Sequence, residues 1–85
     1  MKRNIQHIKG PDGKAYDFEF IILGDNVYKV VEINSWVTPF VVSLNESERG
    51  KFRIREKDKL NLPEWVMKKQ VEFAEFINEN FPNEQ

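Results

Sequence analysis

The chain contains no cysteine. Disulfides, thiol nucleophiles and thiolate metal sites are thereby excluded. It has one histidine, His7, with no carboxylate at ligand spacing, so no metal is expected and His7 reads as structural or solvated. No run approaches the roughly 18 apolar residues of a spanning helix. Met1-Lys2-Arg3 opens with charge, but no apolar segment of a signal peptide follows. A soluble, cytoplasmic protein without membrane contact is therefore expected. Glycine and proline number only four each and form no rich stretch. There is no linker, repeat or low-complexity run.

Catalytic groupings are also missing. Ser35, Ser43 and Ser47 sit in no G-x-S-x-G elbow. Gly10-Pro11-Asp12-Gly13-Lys14 lacks the spacing of a phosphate loop and is explained as a β-turn. Asp17 and Glu19 share a strand face, but hydrolytic work would need a cleft and two different environments to separate their pKa values. Asn45-Glu46-Ser47 matches a glycosylation acceptor and, without a secretion signal, reads as chance. No enzyme activity, cofactor or metal is expected.

What the chain does have is aromatic mass: seven Phe, two Trp and two Tyr in 85 residues. A domain of this size buries only about 60% of its unfolded surface, and large rings compensate. The net charge of −1 gives no global attraction to nucleic acid, yet the charge is unevenly distributed. Residues 1–14 and 49–60 are basic, and residues 15–48 and 61–85 are acidic. Such blocks predict pairing between strands, with Asp17 and Glu19 set against Arg53 and Arg55.

The sharpest pattern is KFRIREKDK. Lys51, Arg53, Arg55, Lys57 and Lys59 take every second position, and Phe52 and Ile54 alternate with them at its start. On a strand this gives one cationic and one buried face. The stripe has three readings: contact with an acidic surface or a phosphate backbone, an edge strand kept unpaired by its charge, or cross-strand ion pairs. Bases stack on exposed aromatics in nucleic-acid sheets, whereas Phe52 points away from the stripe.

The rest of the chain reads as hairpins followed by one helix. Strands are predicted at 3–8, 15–23, 27–33, 36–44 and 51–56, with turns at Gly10–Gly13, Gly24–Asn26 and 46–50. Tyr16, Phe18, Phe20 and Ile22 share one face. Val27, Val31 and Ile33 share another. Pro39 predicts a bulge or an edge in the fourth strand. A helix is predicted from Leu62 to Asn80, capped by Asn61 with Glu64 as its box partner, stapled by Leu60 and Trp65, and ended by Pro82. Glu64, Lys68, Glu72, Glu75 and Glu79 form its charged stripe. Its apolar arc is wider than one flat sheet can cover, so either the sheet curls around the helix or another chain meets it.

The predicted fold is α+β: an antiparallel meander of four or five strands with one C-terminal helix packed on a face, a strongly bent, barrel-like sheet being the variant. Residues 1–82 form one domain and 83–85 a flexible tail. The expected function is a non-catalytic module acting through protein–protein contact, homodimerisation included. The alternative is a nucleic-acid-binding domain using the 51–59 stripe. A third class, an enzyme or ligand carrier, would use an aromatic pocket of Tyr16, Tyr28 and Trp36. The candidate partner-binding residues are Trp36, Phe40, Lys51, Arg53, Arg55, Lys57, Met67 and Val71.

Overall fold

The computed structural model describes residues 3–45 and 50–81. Glu46 and Ser47 of the glycosylation-like triplet, most of the 46–50 turn, Pro82 and the 83–85 tail lie outside the described residues. Five strands, β1 (Ile5–Lys9), β2 (Ala15–Gly24), β3 (Val27–Glu32), β4 (Phe40–Leu44) and β5 (Phe52–Ile54), form one antiparallel sheet in the order β1-β2-β3-β4-β5. Three helical segments follow, α1 (Glu56–Lys59), α2 (Glu64–Met67) and α3 (Gln70–Asn80). The sheet curls, and α3 packs against it.

The turns follow their local chemistry. Gly13 N–H donates to Gly10 O at 3.1 Å, closing the first hairpin, and Gly13 sits at φ 85°, where a side chain would be strained. Asn26 takes the left-handed position of the second turn at φ 57°. A register shift between Ile22 and Gly24 marks a bulge just before it. β4 begins immediately after Pro39 and lies between β3 and β5. Pro39 therefore precedes a central strand and makes neither a bulge nor an edge.

Alternation places Ile8, Tyr16, Phe18, Phe20, Tyr28, Val30, Phe40, Val42, Phe52 and Ile54 on the inward face, where they join Val66, Phe73, Ile77 and Phe81 in one buried cluster. The Phe73 ring lies 5.3 Å from Phe18 and 5.5 Å from Phe40. Phe18, Phe20, Phe52, Ile54, Phe73 and Ile77 all lie within it. In β3 the inward positions are Tyr28, Val30 and Glu32, so Val27, Val31 and Ile33 do lie together, on the outer face.

The C-terminal region departs from the predicted single helix. Basic alternation continues past Ile54, but Glu56 and Asp58 occupy the positions where inward apolar residues would be needed, so extending the strand would bury nothing. Instead the chain turns into α1, and Asp58 Oδ2 accepts Val41 N–H at 2.9 Å where β5 has ended. Asn61 is absorbed into the turn after α1, its N–H donating to Asp58 O at 3.1 Å. Pro63, extended at ψ 147°, is the residue before α2, and no side chain caps that helix. Leu60 is 90% exposed and staples nothing. A further break falls at Lys68-Lys69, where Lys69 N–H bonds back three residues to Val66 O at 3.0 Å. This tighter turn separates Trp65, packed on Tyr16 and Phe18, from Phe73 and Phe76, packed on Phe20. Curling and the break together bury nearly the whole apolar arc, leaving Val71 as its exposed member at 56%.

Candidate binding surfaces

The predicted site residues fall in separate places. Phe40 is buried against Phe18 and Phe73 and is a core residue, with no face for a partner. Met67 is half-buried and packed on the core. Val71, Lys51 and Arg53 come together around a cavity of about 240 Å³ between β5 and α3, also lined by Phe52, Ala74 and Glu75. The cationic stripe does not survive as one face. Arg53 Nη1 donates to Phe52 O at 2.8 Å. Arg55 lies 3.3 Å from Asp58 Oδ2, and Lys57 stands on α1. A second cavity of about 370 Å³ lies at the β4–β5 end and includes Ser43, Arg53, Arg55 and Glu56 in its lining.

The expected pairing of Asp17 and Glu19 with Arg53 and Arg55 is not formed, because β3 and β4 separate β2 from β5. The neighbouring strand supplies the partners. Glu19 receives both Arg3 Nε and Nη2 at 2.9 Å, a bidentate pair. The Arg3 hydrogen bond holds the Glu19 carboxyl below its ordinary range against the opposing effect of burial, and Glu19 raises Arg3 in return. His7 Nδ1 lies 2.5 Å from Asp17 Oδ1, the register pairing these two directly.

At the first hairpin Tyr16 and Trp36, named from the sequence as pocket candidates, are joined by Asp12, Lys14 and Trp65, which the sequence did not connect to them. Tyr16 lies 4.7 Å from the Trp65 ring and 5.3 Å from that of Trp36. Lys14 Nζ sits 4.9 Å over Trp36, a cation–π placement. Tyr16 O–H donates to Asp12 Oδ2 at 3.0 Å, and Lys14 N–H donates to Asp12 Oδ1 at 3.1 Å. That backbone bond is the main reason the Asp12 carboxyl lies below its ordinary range. Burial first, and the bond to Asp12 second, raise the Tyr16 phenol. Beside Trp65 opens a cavity of about 280 Å³ lined by Lys9, Gly10, Pro11, Trp65, Lys68 and Lys69. Of the aromatic trio considered from sequence, Tyr16 and Trp36 meet, while Tyr28 packs 4.9 Å from Phe81 and 5.7 Å from Phe52 in the core.

Glu32 organises the Trp36 side of this group. It is 1% exposed. Its Oε1 accepts Trp36 N–H at 2.9 Å, and its backbone O accepts Ser35 N–H at 3.0 Å. Ser35 is held at φ 60°. Glu32 Oε2 is buried with no hydrogen-bond partner among the described residues. The usable signal was phase, since Tyr28, Val30 and Glu32 share one alternation.

Among the described residues, no group of three or more His, Cys, Asp and Glu could hold a metal, and no helix is long and apolar enough to cross a membrane. Comparison with protein-family models, with curated proteins and with solved structures finds no match.

Proposed function

We propose that this chain is a non-catalytic binding module acting through protein–protein contact, with a homodimer as the simplest assembly. The reading rests on the outer face of the sheet. The helices cover one face only, and the molecule is 17 Å across its thinnest axis. The uncovered face sets Ile5, Ile21, Val31 and Ile33 among the Arg3–Glu19 and His7–Asp17 pairs, with Ile21 and Ile33 each 42% exposed. Apolar side chains rimmed by polar ones are the composition of contact surfaces, and symmetric pairs are the commonest assembly.

Sedimentation across a concentration series, repeated with Ile21→Asp and Ile33→Asp, tests it. Self-association lost in both variants at unchanged melting temperature supports the reading. A monomer at every concentration removes the homodimer. If photo-crosslinkers at positions 21 and 33 also join no protein in its native extract, the module reading fails.

The alternative, nucleic-acid binding through Lys51, Arg53, Arg55 and Lys57, is tested by titration with labelled oligonucleotides. Tight, salt-sensitive binding lost on charge reversal at Arg53 and Arg55 would favour it.

A further inference from the structure

The two edges of the sheet are finished differently. In β5, Asn45 N–H donates to Lys51 O at 2.9 Å and Arg55 N–H donates to Val41 O at 2.8 Å, so alternate residues face β4. Phe52 and Ile54 therefore turn their backbone groups outward. Ile54 N–H donates to Gln70 Oε1 at 2.9 Å, and Phe52 O accepts Arg53 Nη1 at 2.8 Å. Side chains from α3 and from the strand itself occupy that edge.

Among the described residues no such cover lies on β1. Phe20 N–H donates to Asn4 O, and Gly10 N–H to Lys14 O, each at 2.9 Å. The even-numbered residues thus face β2, and Ile5, His7 and Lys9 direct their N–H and C=O groups out of the sheet. None of these groups bonds to a described residue. β1 contains no proline and no bulge, two of the devices that normally block an edge.

The open edge runs into the cavity lined by Lys9, Gly10, Pro11, Trp65, Lys68 and Lys69. Three of these residues are lysines and none is acidic: Lys68 and Lys69 come from the helical side, and Lys9, in phase with Ile5 and His7, borders the cavity from the outer side of the edge. Glu64 and Glu72 pair with Lys68 and Lys69 at 3.4 and 3.2 Å from outside the lining. Exposed pairs of this kind contribute little, so an incoming anion can replace them. Lys9 has no carboxylate partner among the described residues.

We propose that β1 is a docking edge for an extended, acidic segment of another protein, which adds a sixth strand and places a carboxylate side chain in the Lys9–Lys68–Lys69 cavity. This rests on the protein-contact reading above and gives it a partner chemistry. Main-chain bonds would supply adhesion and the cavity selectivity, as in other strand additions. A second copy of β1 is the poorer occupant. Twofold pairing about His7 would set His7 against its symmetry mate and Lys9 diagonal to a second Arg3, and β1 carries no acidic residue to offset them. Like charges across strands are destabilising.

The test uses the full chain, isotope-labelled, with a peptide of about eight residues alternating Glu and Val, long enough for one strand. The expected result is slowed amide exchange at Ile5, His7 and Lys9, weakened by salt, with Phe52 and Ile54 unaffected. A peptide N-methylated at alternate residues should lose at least about tenfold in affinity, and so should Lys9→Glu. His7→Pro should bind as poorly while keeping its fold, since the lost N–H points outward. If that variant unfolds, the N-methylated peptide decides the matter on unaltered protein. Equal protection by a Lys-Val peptide, or none at millimolar peptide, overturns the proposal. So does concentration-dependent protection of β1 without peptide, which would assign the edge to a second copy. Peptide-induced protection confined to the outer sheet face overturns the docking edge but leaves the protein-contact reading standing.

Discussion

Gly10 shows how one missing atom can determine local packing. A Cβ built there would lie 2.5 Å from Tyr16 Cε1, a ring wedged between Gly10 and Trp65 and tied to Asp12. Gly10→Ala should therefore destabilise by about 1–3 kcal/mol, the usual cost of overpacking, as read from the urea midpoint. Asn61→Ala should do almost nothing, within about 0.5 kcal/mol, because Asn61 is exposed and caps no helix. Glu32→Ala removes the acceptor of Trp36 N–H and should alter tryptophan fluorescence as Trp36 leaves Tyr16. The capping pattern around Asn61 was legible in the sequence yet misleading, since a local motif cannot reveal that the turn after α1 has already taken up the residue.

At the level of elements, α3 and β5 stabilise each other. Phe73 meets Phe18, Phe20 and Phe40 at once, so Phe73→Ala should cost about 3–5 kcal/mol, with a wild-type denaturation midpoint counting against its core placement. Gln70 has a different part, since its side-chain oxygen satisfies Ile54 N–H on the outer side of β5. Gln70→Ala should lose about 0.5–1.5 kcal/mol and should raise aggregation on prolonged incubation, because it reopens a strand edge. Unchanged light scattering in a folded variant would mean that β5 is protected by something other than Gln70.

For the molecule as a whole, acid sensitivity follows from two carboxylates. Asp12 and Glu19 are both held below their ordinary values, by the Lys14 N–H and by Arg3 respectively. A depressed carboxylate favours the folded state above the unfolded pKa of about 4, and that contribution is lost as pH falls through the folded value. Stability should thus decline on acidification below about pH 4. Asp12→Asn and Glu19→Gln should each make the acid limb of a melting-temperature profile shallower, and salt should weaken the exposed Arg3–Glu19 part. An acid limb identical in both variants would assign the loss to other carboxylates.

Local periodicity and turn chemistry determined the hairpins, the inward faces of β2 and β5, the shared aromatic core and the presence of a C-terminal helix. These depend on neighbours within a few residues, so one sequence suffices to read them. The tertiary structure decided what depends on distant partners. Sheet order paired Asp17 and Glu19 with β1 instead of β5. Asp58 reached Val41 and ended β5 early. Packing of Trp65 and Phe73 on different rings broke the helix at Lys68-Lys69, and the position of α3 covered the β5 edge, whereas no described residue covers that of β1. The Tyr16–Trp36–Trp65 group and its lysines come from three segments far apart in sequence, so no spacing along the chain could announce them.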